Sequence, residues 1–212
     1  ISLLLYGIKL DPDLLITIDG SNDIVMMTKS GQPGMPYVNQ FIDLAVNHPA
    51  INFLFGIIRN SQFCNSLLKL KERKVEKEIQ KDILLRKETI KIFVEGLQSI
   101  STIAEGLDIT HIMVLQPYIH LRKSLTEREK YLNEIKNYEY RKKFMTEMFN
   151  SIDSALTINP FTLKTIYVNG TRAFDSVNYE CFNDEVHLTE IGNQLLLQYI
   201  FSSDINYLKC KN

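Results

Sequence analysis

The sequence predicts an α/β fold with a mainly parallel sheet. Three observations carry that reading. Short, largely apolar runs at 14–18, 109–115 and 164–168 alternate with long helical patterns. The first run is apolar almost throughout rather than alternating, which suits a parallel strand covered on both faces, and 109–115 is a second buried-strand candidate. The 212-residue chain is 45% hydrophobic and 23% charged, enough to bury a core without disulfide or metal support.

Residues 2–8 read as the end of an amphipathic helix, broken by Asp11-Pro12-Asp13 because proline lacks an N–H and restricts its predecessor. Leu14 to Ile18 follows as a strand between Pro12 and Gly20. Asp19 to Asp23 is a polar turn at its carboxyl end, where open α/β sheets bind ligands. Residues 29–37 are a Gly- and Pro-rich loop, 38–47 a helix, and 49–58 fits helix or strand equally. A helical pattern then runs from about Gln62 to Glu105. Val75, Ile79, Ile83, Ile90, Phe93, Leu97, Ile100 and Ala104 fall near a 3.5-residue spacing, and Gly106 is the expected C-cap. The strand at 109–115 ends at Gln116-Pro117. A second long helix spans about Thr126 to Ala155, capped by Ser124 or Thr126, with Glu127 and Glu129 favoured by the helix dipole. After the strand at 164–168, a polar loop at 184–188 leads into an amphipathic helix over 189–201.

Lys and Arg total 24 against 25 Asp and Glu, a net charge of −1, which excludes a uniformly basic nucleic-acid binder. No apolar run reaches the roughly 18 residues of a membrane span. Cys64, Cys181 and Cys210 are too widely spaced for a metal pair or a disulfide framework, and read as free thiols. Residues 69–91 hold nine basic and five acidic side chains, and 122–147 hold eight and five. These are either solvated helix faces, with pairs such as Asp82 with Arg86 and Lys143 with Glu147, or a basic partner surface.

Two places combine reactive residue types with a strand or helix end. In Gly20-Ser21-Asn22-Asp23, glycine permits a tight turn and the Asn22 amide is a donor for a developing oxyanion. The same residues also make an ordinary turn. In Asp184-Glu185-Val186-His187-Leu188, the histidine is a base near neutral pH and the aspartate three residues earlier is placed to fix its tautomer. By itself that spacing also fits a surface histidine beside a helix start.

Taken together, "PDLLITIDGSND", "HIMVLQPYI" and "FNDEVHLTEIGNQLL" resemble the third block, the following strand and the fifth block with its closing helix of the SGNH (GDSL-type) hydrolase family. The resemblance covers residues 10–25, 105–120 and 174–201, but not the long charged helices. It implies a three-layer α/β/α fold with a flavodoxin-like sheet, and a serine ester hydrolase or acyltransferase acting on a small acyl ester of carbohydrate or lipid. It implies His187 as the base that activates the serine, Asp184 as its orienting acid, Asn22 as the oxyanion donor and Gly20 in a backbone role. No metal or cofactor is implied.

The family's Gly-Asp-Ser nucleophile block and second-block glycine have no counterpart before Gly20. Residues 1–212 are therefore expected to form a single SGNH-hydrolase-like domain, truncated at its N-terminus, inactive alone and prone to aggregate. A helical insertion from parts of 60–100 and 122–157 is its expected lid or partner surface. Ser21 is the substitute nucleophile to consider. The rival class is a non-catalytic interaction protein on a degenerate hydrolase scaffold. Among the other histidines, His48 precedes Pro49 in a loop, His111 reads as a satisfied core residue and His120 as a cleft-lining candidate. Asp175 reads as a turn residue, and Asn169-Gly170-Thr171 fits a glycosylation sequon. Localisation is not legible.

Overall fold

The computed structural model describes residues 10–30, 81–135, 139–158 and 161–202. The expected helices over 2–8 and 38–47, the segment 49–58, residues 62–80 of the long helical pattern, His48, Cys64 and Cys210 lie outside them. In order, the described elements are β1 (Leu14–Asp19), α1 (Ser21–Ser30), α2 (Ile83–Gly106), β2 (Thr110–Leu115), α3 (Glu127–Ile135), α4 (Glu139–Ile158), β3 (Thr165–Asn169) and α5 (Glu190–Ser202). Short 3-10 turns follow β2 at Ile119–Leu121 and β3 at Gly170–Arg172. The chain divides into two compact units, residues 22–93 and residues 1–21 with 94–212, and the sheet belongs to the second.

The sheet has the order β1-β2-β3 and is parallel throughout, with Leu15 opposite His111 and His111 opposite Thr165. All three expected strands are present to within a residue or two. β2 is central and nearly wholly buried, as expected of a buried strand. β1 departs from that expectation: among the described residues it pairs on one side only, and Ile18 is 47% exposed.

The faces of the sheet differ in character. Ile112, Val114 and Val168 share an apolar cluster with Phe174, Phe182, Leu196 and Ile200. Residues of the opposite parity are more polar. His111 Nε2 lies 3.0 Å from Thr17 Oγ1 and its Nδ1 3.5 Å from Thr165 Oγ1, which in turn meets Ser101 Oγ of α2 at 2.5 Å. Tyr167 donates to Asp153 of α4 at 2.6 Å, and burial together with that carboxylate pushes the phenol up.

Helix boundaries follow capping chemistry that the periodicity concealed. The expected helix over 62–105 does not run unbroken through Asp82. Asp82 Oδ1 accepts the Leu84 and Leu85 N–H groups, both at 3.0 Å, and starts α2 afresh. At the other end, Asp108 rather than Gly106 takes the left-handed conformation, φ 62°. Ile109 N–H then bonds the Ala104 carbonyl and Asp108 N–H the Glu105 carbonyl, a Schellman closure. Within the expected helix over 126–155 the described helices are α3 and α4, and residues 136–138 lie outside the described residues. The turn expected at 19–23 instead begins α1 at Ser21. Residues 139–158 are also no appended lid. Phe144, Met145, Met148, Phe149, Ile152 and Leu156 of α4 are all buried, so this helix builds the core.

His111 is fully buried, and burial lowers its pKa to about 4. Below pH ~6.5 the unfolded chain binds a proton that the folded chain refuses until about pH 4, so stability rises with pH across that window and is fully present above it. Asp19, raised by burial against an opposing hydrogen bond from Thr17, contributes the opposite slope, so the histidine is read by difference. Urea melts from pH 4 to 7 should show the wild type gaining up to about 3 kcal/mol relative to His111→Gln. Parallel pH profiles would contradict a neutral, buried His111.

Candidate active site

The chain between β3 and α5 folds into a closed hairpin loop. Thr189 N–H bonds the Cys181 carbonyl at 2.9 Å, Phe182 and Leu188 form an antiparallel bridge, and Asn183 N–H bonds the His187 carbonyl at 2.8 Å. The Asn183 amide adds a bond to the Leu188 carbonyl at 3.0 Å. Asp184 shapes the tip. Its Oδ1 accepts the Val186 and His187 N–H groups, each at 2.9 Å, which is an Asx turn.

The other oxygen of the same carboxylate holds the histidine. Asp184 Oδ2 lies 2.7 Å from His187 Nδ1. An ionised carboxylate only accepts, so this contact places a ring proton on Nδ1, and in the neutral imidazole Nε2 is then the accepting nitrogen. The His187 side chain is 77% exposed, and Nε2 has no hydrogen-bond partner among the described residues. Burial pushes the Asp184 carboxyl up, but the backbone N–H donors of His187 and Val186 and the imidazole outweigh it and hold it below its ordinary value. The arrangement is a base with a fixed tautomer and an open accepting nitrogen.

α5 is locked to this loop at its first turn. The Thr189 hydroxyl donates to the Glu180 carbonyl at 2.7 Å and accepts the Gly192 N–H at 3.0 Å. Gly192 is required sterically, because a Cβ there would stand 2.3 Å from the Cys181 carbonyl oxygen. Cys181 itself is buried and free, and burial raises its thiol pKa.

A buried ion pair anchors the same segment from the other side. Arg122 and Glu129 have side chains 1% and 0% exposed, and Arg122 Nη1 lies 2.5 Å from both Glu129 oxygens. Glu129 also accepts the Thr126 N–H at 3.0 Å while Thr126 Oγ1 accepts the Glu129 N–H at 3.3 Å, a reciprocal capping box that starts α3. A further bond from Cys181 N–H to Glu129 at 2.8 Å ties the hairpin down. Arg122 donates to the Tyr179 and Val177 carbonyls at 3.0 and 2.7 Å.

Of the residues expected at the site, the structure brings Asp184 and His187 together. Gly20 ends β1 with φ 153°, and a Cβ there would press on the Phe149 ring at 3.2 Å. Ser21 is buried. Its N–H and hydroxyl both donate to Gln116 Oε1, at 3.1 and 2.9 Å, a bond that clips the ends of β1 and β2 together. That bond occupies the only hydroxyl expected as a substitute nucleophile. Asn22 stands exposed in the first turn of α1, in the unit formed by residues 22–93.

The remaining candidates resolve structurally. His111 is the core histidine expected. His120 sits in the 3-10 turn after β2, its ring edge-on to Tyr118 at 4.9 Å. Asp175 pairs with Lys123 at 2.7 Å, as a turn residue does. The Asn169 side chain accepts from both N and Oγ1 of Thr171, which is buried, so the sequon is used internally. Among the described residues no histidine, cysteine, aspartate and glutamate cluster is arranged to hold a metal ion, and no helix is long and apolar enough to cross a membrane. Sequence reading missed Gln116, Arg122 and Gly192, and took Glu129 for a dipole residue only. The Thr126-x-x-Glu129 spacing was the available signal for the cap. Compared with known protein families, curated proteins and solved structures, the chain matches none.

Removing one partner of the buried pair strands the other charge. Glu129→Ala should therefore cost about 3–5 kcal/mol in chemical denaturation. A loss below about 1 kcal/mol, the scale of a surface pair, would show that the pair does not anchor this segment.

Proposed function

We propose that this chain carries the acid–base half of an SGNH-type serine ester hydrolase or acyltransferase. The observation that carries the reading is the 2.7 Å contact between Asp184 and His187 Nδ1, with Nε2 left open on an exposed ring. In this mechanism Nε2 takes the proton of a serine hydroxyl as it attacks an acyl carbonyl. The imidazolium then forms a stronger bond to Asp184 and passes the proton to the departing alcohol. Hydrolysis of the acyl-enzyme repeats the cycle with water, and acyl transfer repeats it with a second alcohol. Ser21 is not taken as the nucleophile in this reading, since its hydroxyl is committed to Gln116. Asn22 is the residue to which the family resemblance assigns the oxyanion-donor role.

The accompanying fold is a three-layer α/β/α domain with a flavodoxin-like sheet. Supporting it are the parallel order β1-β2-β3, the apolar cluster joining β2 and β3 to α5, and the bonds from the opposite parity to α2 and α4. The loops bearing Gly20 and His187 follow the carboxyl ends of β1 and β3, the end at which open α/β sheets bind ligands.

The full-length protein containing this chain is the material for the test. With a small activated ester, His187→Ala should lower kcat by several orders of magnitude, and Asp184→Asn by less. Asn22→Ala should lower kcat by roughly 10²–10³ with a modest change in KM. A full-length protein without esterase or acyltransferase activity, or a His187→Ala variant with wild-type kcat and pH profile, overturns the reading and favours a non-catalytic interaction protein.

A further inference from the structure

We propose that Gln116 is a further catalytic residue, its side-chain N–H donating to the acyl carbonyl oxygen of the substrate as negative charge develops there. The role rests on the hydrolase reading and adds a donor that the family resemblance does not supply.

Gln116 follows the central strand, β2, at its carboxyl end. It grips the chain on both sides of Gly20. Its backbone N–H bonds the Asp19 carbonyl at 2.9 Å, and its Oε1 accepts the Ser21 N–H at 3.1 Å and the Ser21 hydroxyl at 2.9 Å. A backbone N–H only donates, so the atom that Ser21 N–H meets is the carboxamide oxygen and not the nitrogen. That fixes the orientation of the whole group. Nε2 is the other arm of the same planar amide, and it has no hydrogen-bond partner among the described residues. Gln116 is half-buried, yet Nε2 is not sealed from solvent. Its N–H groups are open donors.

Two hydrogen-bonded links place this amide at the candidate site. Through Ser21 it is joined to the turn that begins at Gly20. In the other direction Ile119 donates its N–H to the Glu185 carbonyl at 3.1 Å, and Glu185 lies in the hairpin tip between Asp184 and His187. From Gln116 to Ile119 is three residues, at most about 11 Å of chain. The amide and the His187 hairpin therefore share the carboxyl end of the sheet, the end at which open α/β sheets bind ligands.

The chemistry of the group suits a carbonyl oxygen. The leaving oxygen is served by the proton on His187, so the carbonyl oxygen is the acceptor that still needs donors. A side-chain amide held by its own oxygen is oriented beforehand and need not reorganise as the oxyanion forms. It stabilises the tetrahedral intermediate more than the ground-state ester, because the charge on the oxygen grows between them.

The full-length protein would be assayed with a small activated ester. Gln116→Glu is the discriminating variant, since it keeps an oxygen for both Ser21 donors and replaces the N–H donor with a second oxygen. Its melting temperature should stay near that of the wild type, while kcat falls roughly 10²–10³-fold with a modest change in KM. Wild-type kcat, or a rise in KM alone, would show that Gln116 clips the strands or holds the ground-state substrate, and would overturn this role. Whatever the stability of the variant, the wild type decides the same question. Its reaction with a fluorophosphonate, in which the serine oxygen displaces fluoride, leaves a tetrahedral phosphoryl oxygen where the oxyanion would stand. The Gln116 side-chain amide protons should then move downfield by NMR, and an unmoved pair would overturn the role. A wild type that neither hydrolyses the ester nor reacts with the fluorophosphonate overturns the hydrolase reading, and this role with it. Hydrolysis that survives Gln116→Glu overturns this role alone.

Discussion

The arrangement around His187 depends on the buried pair between Arg122 and Glu129. Desolvating two charges costs several kcal/mol for each ion, and the cost is offset only when nearly every lone pair and proton finds a partner. Here the partners are also what gives the region its shape. Glu129 receives Arg122, the Thr126 N–H and the Cys181 N–H, and Arg122 reaches the carbonyls of Val177 and Tyr179. Two residues thus join the start of α3 to the segment before the hairpin. Of the guanidinium nitrogens, Nε alone has no partner among the described residues.

Rigidity passes from that pair to His187 through hydrogen bonds joined by short stretches of backbone. Glu129 fixes Cys181 through its N–H, and the Cys181 carbonyl receives Thr189. Gly192 lets α5 approach that same carbonyl, so the first turn of the helix closes directly over the hairpin neck. At the tip, Asp184 uses one oxygen to form the turn and the other to hold the ring. Shape and tautomer therefore come from a single carboxylate. A flexible loop would have to order this contact each time it formed, whereas here it is already made and only the Nε2 side is open.

How much of this was legible follows from how far each signal reaches along the chain. β2 was plain, because the unbroken apolar run from Ile112 to Leu115 reports burial on both faces. The Asp184–His187 contact was legible because its geometry is local, three residues within one turn. α1 was not, since Ser21-Asn22-Asp23 has the composition of a turn and helices start with the same residue types. The unbroken helix over 62–105 was misread because apolar spacing continues across Asp82, while the cap is a side-chain event invisible to periodicity. Gln116 and Arg122 were out of reach for another reason. The partner of Gln116 lies 95 residues away and the carbonyls that Arg122 reaches lie 55–57 residues away, and nothing in the local pattern names them.

Glu129 shows why charge alone misleads when read from sequence. Between Arg122 and Glu147 the chain looks like a solvated, charged helical face, and several of its pairs are: Lys130 with Glu127, and Arg128 with Glu180, stand in water and contribute little. Arg122 and Glu129 come from the same charged stretch, yet they are the most buried charges described. The difference is the capping box. It fixes Glu129 at the third position of α3 with its carboxylate turned back toward the helix start, where it receives the Cys181 N–H and the Arg122 guanidinium that also holds the carbonyls of Val177 and Tyr179. A carboxylate held there without a cation would be strongly unfavourable. Arg122, one residue past the 3-10 turn that follows β2, is delivered to it by the end of the central strand. The charge pattern of the helix and the position of the strand are thus parts of one constraint, and the hairpin that carries His187 is built against it.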